Sequence, residues 1–187
     1  FYTTLDLVLM AVIAVVFGIV NNFFGVFYQS LQAAGGPWLA ELFAVFSIPA
    51  CLAMFIIRKP GAALITWLLN AIVQALAGNP AGIGALGWGV FSGIATESVF
   101  ALTRYQNFGP VVMFVAAGMS EVFGVLWSYT LFGLWETVAS APYILLGSIV
   151  IAFIATGIQS GLVAYGIGTL LKRSGLLRSF RVAAAQA

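Results

Sequence analysis

The sequence contains no histidine, so the usual general base and the commonest metal ligand are both missing. Its single cysteine, Cys51, can form neither an intrachain disulfide nor a thiolate metal cluster. No glycine-rich phosphate loop of the Walker type occurs, and the chain is not expected to hydrolyse ATP itself. A membrane protease would need a His beside its Ser, and the carboxylate pairs that hold two metals inside a helix bundle are absent too. Charge is scarce: seven Lys and Arg and five Asp and Glu make up 6% of 187 residues. The remainder is largely apolar, with 63% hydrophobic residues and a mean hydropathy of +1.11, more than a soluble domain of this length can bury. The apolar runs are too long, and too rich in Gly and Ala, for barrel strands of ~10 alternating residues. An all-α integral membrane protein is the fold class this composition predicts.

Spans of ~20 residues with short turns fit about six times into the length, which predicts six transmembrane helices in one compact bundle and a single domain over 1–187. The first is expected from Leu5 to Phe24; it is full length and lacks a small-residue cleavage pattern, so no cleavable leader is expected. Its Ala11, Ala14 and Gly18 form a strip where another backbone can approach closely. Gly25 to Ala40, with Tyr28, Gln29, Ser30, Gln32, Gly35, Gly36, Pro37 and Trp38, reads as an interfacial loop with an aromatic anchor. The second span, about Leu39 to Ile57, contains Pro49 and should kink. A third follows to Gly82, a fourth runs from about Ile83 to Thr103, and a fifth ends near Thr130. The last apolar run, Pro142 to Leu171, is long enough to require tilt or an interfacial first turn. In this reading Arg58, Lys59, Arg104, Lys172, Arg173, Arg178 and Arg181 all fall on one side, and the three opposite links carry no Lys or Arg. The positive-inside rule makes that side cytoplasmic, with both termini on it.

The stretch from Ile57 to Gly82 carries the densest signal. Trp67, Asn70 and Gln74 share one face of a helix, and polar atoms on a membrane helix need protein or ligand partners because lipid offers none. Interhelical hydrogen bonding and ligand contact both satisfy that need. Glu97 and Glu121 lie inside apolar spans, at a cost of about 2.5–3.5 kcal/mol each on insertion scales. Glu97 could share a cluster with Arg104, seven residues on, or face a ligand; Glu121, beside Ser120, has no local partner and points to a pocket. Glu41 is either solvated or a ligand contact. Trp38, Trp88 and Trp135 fall where an aromatic belt is expected, whereas Trp127 and Tyr129 could stack on a heteroaromatic ligand. Carboxylates with tryptophan faces suit an organic cation or a polar heteroaromatic.

The segments Ile57-Arg58-Lys59-Pro60-Gly61-Ala62-Ala63-Leu64, Gly78-Asn79-Pro80-Ala81-Gly82 and Glu97-Ser98-Val99-Phe100-Ala101 resemble the substrate-binding S components of energy-coupling-factor vitamin transporters. The similarity is greatest to the YkoE-type branch associated with thiamine and its hydroxymethylpyrimidine precursor, and covers the first four spans. It implies a non-enzymatic, multi-pass protein of the bacterial plasma membrane that captures a vitamin at its outer face. It also implies docking on a transmembrane coupling subunit driven by two cytoplasmic ATPases, with no cofactor and no nucleic-acid partner. By the same resemblance Ala11, Ala14 and Gly18 would meet the coupling subunit, and Glu41 and Glu97 match acidic positions of the family. The full set of expected ligand contacts is Glu41, Trp67, Asn70, Gln74, Asn79, Glu97, Glu121, Trp127 and Tyr129. Relatives of this branch usually carry a glutamate where this chain has Gln74 and a glutamine where it has Ser92. The lost carboxylate favours hydroxymethylpyrimidine or another neutral heteroaromatic, unless Glu121 supplies the charge from the fifth span. A membrane-embedded enzyme using Glu97 or Glu121, and a purely structural subunit, are the competing classes.

Overall fold

The computed structural model describes residues 2–177 and 179–180, so Arg178 and Arg181 of the basic tail lie outside the described residues. The described residues contain helices and no strand. Helix α1, Thr4–Glu41, opens with a reciprocal cap: Thr3 Oγ1 accepts from the Asp6 N–H at 3.2 Å, and Asp6 Oδ2 accepts from the Thr3 N–H at 2.8 Å. The loop expected from Gly25 to Ala40 is therefore corrected to helix as far as Gly35. Gly36, at φ 79° and ψ −179°, breaks the axis, and Pro37 starts a short final piece carrying Trp38 and Glu41. Of the polar residues that suggested a loop, Tyr28, Gln29 and Gln32 line a cavity, while Ser30 is exposed and donates to the Val26 carbonyl.

Helix α2 is only Ile48–Ile57, about 15 Å of rise, so the span expected from Leu39 is shortened by a turn over 42–47. Pro49 sits in the first turn, where proline is tolerated, and the kink expected there does not form. Every residue from Pro49 to Ile57 is buried, as befits a helix that is apolar all round and runs through the middle of the bundle. Helix α3 is Ala62–Leu76, α4 is Ala85–Leu102 after a short 3₁₀ turn at Gly82–Gly84, and α5 is Pro110–Leu131. The short α6, Trp135–Ser140, leads into α7, Pro142–Thr156, which continues through a π-helical segment, Gly157–Leu162, into α8, Val163–Arg173. Among the described residues, Thr4–Glu41, Gly82–Leu102, Pro110–Leu131 and Pro142–Arg173 are long and apolar enough to cross a membrane, while α2 and α3 are shorter.

Helix α3 packs between α1 and α4, α4 continues onto α5, and α5 meets α7 and the π segment; α2 lies against α3 and α8. The larger core gathers around α2 and α3 and includes Met10, Met54, Phe55, Phe100 and Met113. The approach of the π segment to α5 is the tightest constraint on that side. A Cβ on Gly161 would lie 2.5 Å from the Met113 carbonyl oxygen and 2.8 Å from Phe114 Cα, both backbone atoms that cannot turn aside. Gly161→Ala is expected to lower stability by about 1–3 kcal/mol. Thermal unfolding checks this, and an unchanged midpoint would mean that the two backbones do not meet there.

Candidate functional site

A cavity of about 480 Å³ lies between α1, α3, α4 and α5, within the size range of small-molecule sites. Helix α1 supplies Asn21, Gly25, Tyr28, Gln29 and Gln32, spaced three and four apart on one face, and beyond the Gly36 break it adds Pro37 and Glu41. Helix α3 contributes Trp67 and Gln74, followed by Asn79 in the next turn. Trp88 and Ser92 come from α4, and Glu121, Gly124, Val125, Ser128 and Tyr129 from α5. Phe46 and Phe132 complete the aromatic part of the wall.

Two carboxylates therefore enter one cavity, and none of its lining residues is Lys or Arg. Glu41 is 3% exposed; its Oε1 accepts from the Tyr28 hydroxyl at 2.5 Å, and its Oε2 has no partner among the described residues. Glu121 is 8% exposed, lines the same cavity as Glu41, and has no hydrogen bond or ion pair among the described residues. The Trp67 indole N–H is likewise buried without an acceptor among the described residues. An unpaired carboxylate oxygen and an unpaired N–H are costly in a dry interior, so a ligand that engages them is favoured by more than its contact area. The other polar wall is internally satisfied: Gln74 Nε2 donates to Asn70 Oδ1 at 2.7 Å, Asn79 Nδ2 donates to Gln74 Oε1 at 3.2 Å, and Trp88 Nε1 donates to Ser128 Oγ at 2.9 Å.

Of the nine residues expected at a ligand, the structure brings six to the cavity: Glu41, Trp67, Gln74, Asn79, Glu121 and Tyr129. Asn70 stands behind them, fully buried, donating to the Ala14 carbonyl at 3.3 Å. Trp127 turns away, donating to the Gly84 carbonyl at 3.0 Å and packing on Gly87. Glu97 lies elsewhere, accepting from the backbone N–H groups of Gly61, Ala63 and Leu64 at 2.6, 3.1 and 3.3 Å. It caps the start of α3, a role assigned to it by neither the Arg104 reading nor the ligand reading. Ala14 and Gly18 face α3 of the same chain, where a Gly18 Cβ would meet Val73, and Ala11 is exposed. Trp38 reaches across to donate to the Ile144 carbonyl at 3.0 Å, while Trp135 is exposed. Asn21, Tyr28, Gln29, Gln32, Phe46, Trp88 and Ser128 are cavity residues that sequence reasoning did not assign to a ligand. For Tyr28, Gln29 and Gln32 the signal is a common helical face, which a loop over Gly25 to Ala40 hides; Asn21 lies within the expected first span.

A helical membrane bundle around a partly open cavity of aromatic faces and two carboxylates has the form of a protein that holds a small solute. Residues 5–124 match the family described as ABC-type cobalt transport system, permease component. Over 174 residues, 92% of this chain and 85% of the relative, the sequence is 32% identical to a Bacillus subtilis (strain 168) protein provisionally named HMP/thiamine permease protein YkoE. A crystal structure of an S-component of ECF transporter matches with a TM-score of 0.91 at 29% identity, covering 100% of this chain and 93% of that one. The chain belongs to this family: it is an S component of an energy-coupling-factor transporter, of the YkoE type. It is thus a transport subunit rather than an enzyme, and a multi-pass protein of the bacterial cell membrane. The family description names cobalt, yet among the described residues no group of three or more His, Cys, Asp or Glu gathers that could hold a metal ion.

Proposed function

We propose that this cavity captures thiamine, or its hydroxymethylpyrimidine precursor, at the outer face of the membrane. The observation that carries the reading is the convergence of Glu41 and Glu121 in one aromatic-walled cavity without a lining cation. A cationic heteroaromatic supplies the missing positive charge, and its rings lie against Trp67, Trp88 and Tyr129. The similarity to an HMP/thiamine permease supports the same ligand class. Delivery inward then requires docking on a transmembrane coupling subunit with two cytoplasmic ATPases, since the sequence has no Walker loop of its own.

We place six crossings in the bundle, with both termini inside. Supporting this, Lys59 forms an ion pair with Asp6, and Tyr2 donates to the Pro60 carbonyl. Glu97 holds the Gly61 turn to the same end, while Glu41 and Asn79 meet at the cavity. The basic residues Arg58, Lys59 and Arg104 then follow the positive-inside rule. One domain over 1–187 accommodates all of this.

Thermal unfolding of the detergent-purified protein against thiamine, hydroxymethylpyrimidine, other water-soluble vitamins and blanks tests the ligand. A bound vitamin at a hundredfold excess over Kd stabilises by about 2.7 kcal/mol. A shift with thiamine or hydroxymethylpyrimidine alone is the expected result; no shift with either overturns the reading. Liposomes containing only this chain are expected to accumulate no vitamin when ATP is supplied.

A further inference from the structure

A run of amides, buried at Asn21, Asn70 and Gln74 and half-buried at Asn79, follows α3 beside the cavity, and its two ends are fixed by backbone groups that cannot exchange roles. At the inner end, Asn70 Nδ2 donates to the Ala14 carbonyl at 3.3 Å. A carbonyl only accepts, so Asn70 must turn its Oδ1 the other way. That oxygen accepts from Gln74 Nε2 at 2.7 Å and from Asn21 Nδ2 at 3.4 Å, and Asn21 Nδ2 also donates to the Phe46 carbonyl at 3.3 Å. With its nitrogen committed to Asn70, Gln74 presents Oε1 to Asn79 Nδ2 at 3.2 Å. At the outer end, Asn79 Oδ1 accepts from the Ala81 N–H at 2.9 Å, and an N–H only donates. The direction set at Ala14 and the direction set at Ala81 agree through every amide between them.

We propose that Asn70 is a positioning residue that locks the amide of Gln74 in one orientation, making position 74 a neutral acceptor at the cavity wall that, beside this chain's Asn70 and Asn79, cannot be exchanged for the carboxylate its relatives carry. This rests on the reading of the cavity as the vitamin site. Gln74 Nε2 faces Asn70, which does not line the cavity, and Oε1 faces Asn79, which does. An ionised glutamate at 74 would set one oxygen against Asn70 Oδ1, and turning Asn70 over would set Oδ1 against the Ala14 carbonyl. Either arrangement leaves one acceptor facing another, at Asn70 in the first and at Ala14 in the second. Recognition of a ligand's positive charge is therefore left to Glu41 and Glu121, and position 74 selects for a ligand hydrogen-bond donor without regard to its charge.

The test uses two substitutions, Gln74→Glu and Asn79→Asp, with Tm read without ligand beside the wild type from about pH 5 to about pH 8.5, where a buried carboxyl titrates. The titratable groups facing position 74 across the cavity are Tyr28 and Glu41 of α1 and Glu121 and Tyr129 of α5, while the α4 contribution, Trp88 and Ser92, does not titrate. The wild-type profile accounts for the titration of those groups by themselves, and repeating both substitutions in the Glu41→Gln/Glu121→Gln background removes their repulsion of the new charge. Protonated, either new carboxyl donates a hydrogen and imitates the amide; ionised, it opposes an acceptor. Relative to wild type, both variants are expected to match at acid pH and to lose roughly 3–10 °C in Tm as pH rises. If the amides turn freely, Gln74 offers its Nε2 to the new carboxylate at position 79 and the Asn79→Asp difference stays flat, which overturns the proposal. Should Gln74→Glu fail to fold, Asn79→Asp decides alone, because residue 79 sits in a partly exposed turn. The wild-type Tm shift with thiamine, taken on the same preparation, separates the two readings. A pH-dependent loss without a vitamin shift upholds the lock and overturns the vitamin site, and the reverse pattern overturns the lock alone.

Discussion

Glu121→Gln is expected to weaken thiamine binding by more than about 1.4 kcal/mol, a factor of ten, and to leave neutral hydroxymethylpyrimidine within roughly threefold of wild type. The substitution keeps the shape of the side chain and removes one of two charges that no lining cation balances. Thiamine loses an electrostatic partner that is 8% exposed and so less screened than a surface charge, whereas a neutral pyrimidine loses only the stronger version of one hydrogen bond. Titration calorimetry on both ligands reads the split. The ligand-free variant should unfold at the same temperature as wild type or slightly above it, since an uncompensated buried charge has been removed. Unchanged thiamine affinity in the folded variant would discard the charge role of Glu121 and move the weight to Glu41, whose Oε2 is also unpaired among the described residues.

Glu97→Ala is expected to cost about 3–5 kcal/mol of stability while leaving vitamin affinity of the folded protein unchanged. The first N–H groups of a helix have no intrahelical acceptor, and no side chain of the Gly61 turn caps α3 locally. Glu97 reaches across from α4 and accepts from two of these N–H groups, on Ala63 and Leu64, and from that of Gly61 just before the helix, with its negative charge at the positive end of the α3 dipole. Glu97→Gln keeps one acceptor oxygen and should lose about half as much. Thermal unfolding and a binding titration on the same samples check this. Lost affinity with intact stability would return Glu97 to the ligand contacts.

The membrane class and the family were legible because they depend on composition and on local segments such as Gly78-Asn79-Pro80. Convergence of Glu41, Trp67, Gln74, Asn79, Glu121 and Tyr129 was legible in part, since a polar group in an apolar helix must face something other than lipid. What each one faces depends on how the helices are rotated against their neighbours, which periodicity within one helix does not report. Trp127 and Tyr129 illustrate the limit: two residues apart on a helix they point about 200° away from each other, so both could not face the same ligand. Tyr129 faces the cavity, and Trp127 packs on Gly87. Asn70 shares the face of Trp67 and Gln74 but sits against α1, where it serves as a structural donor to Ala14. The largest miss was α1. Gly35, Gly36 and Pro37 break the helix only at Gly36, yet their turn character was extended backwards over Gly25 to Ala34, concealing the face that carries Tyr28, Gln29 and Gln32.

If the cavity holding Glu41 and Glu121 is the vitamin site, two of its lining residues, Trp67 and Trp88, report on its occupancy directly. Fluorescence of the purified wild-type protein should be quenched saturably by thiamine at one ligand per chain, and the Glu41→Gln/Glu121→Gln double variant should show that quenching only at concentrations at least about a hundredfold higher. Undiminished affinity in the folded double variant, or quenching that never saturates in the wild type, would contradict that assignment.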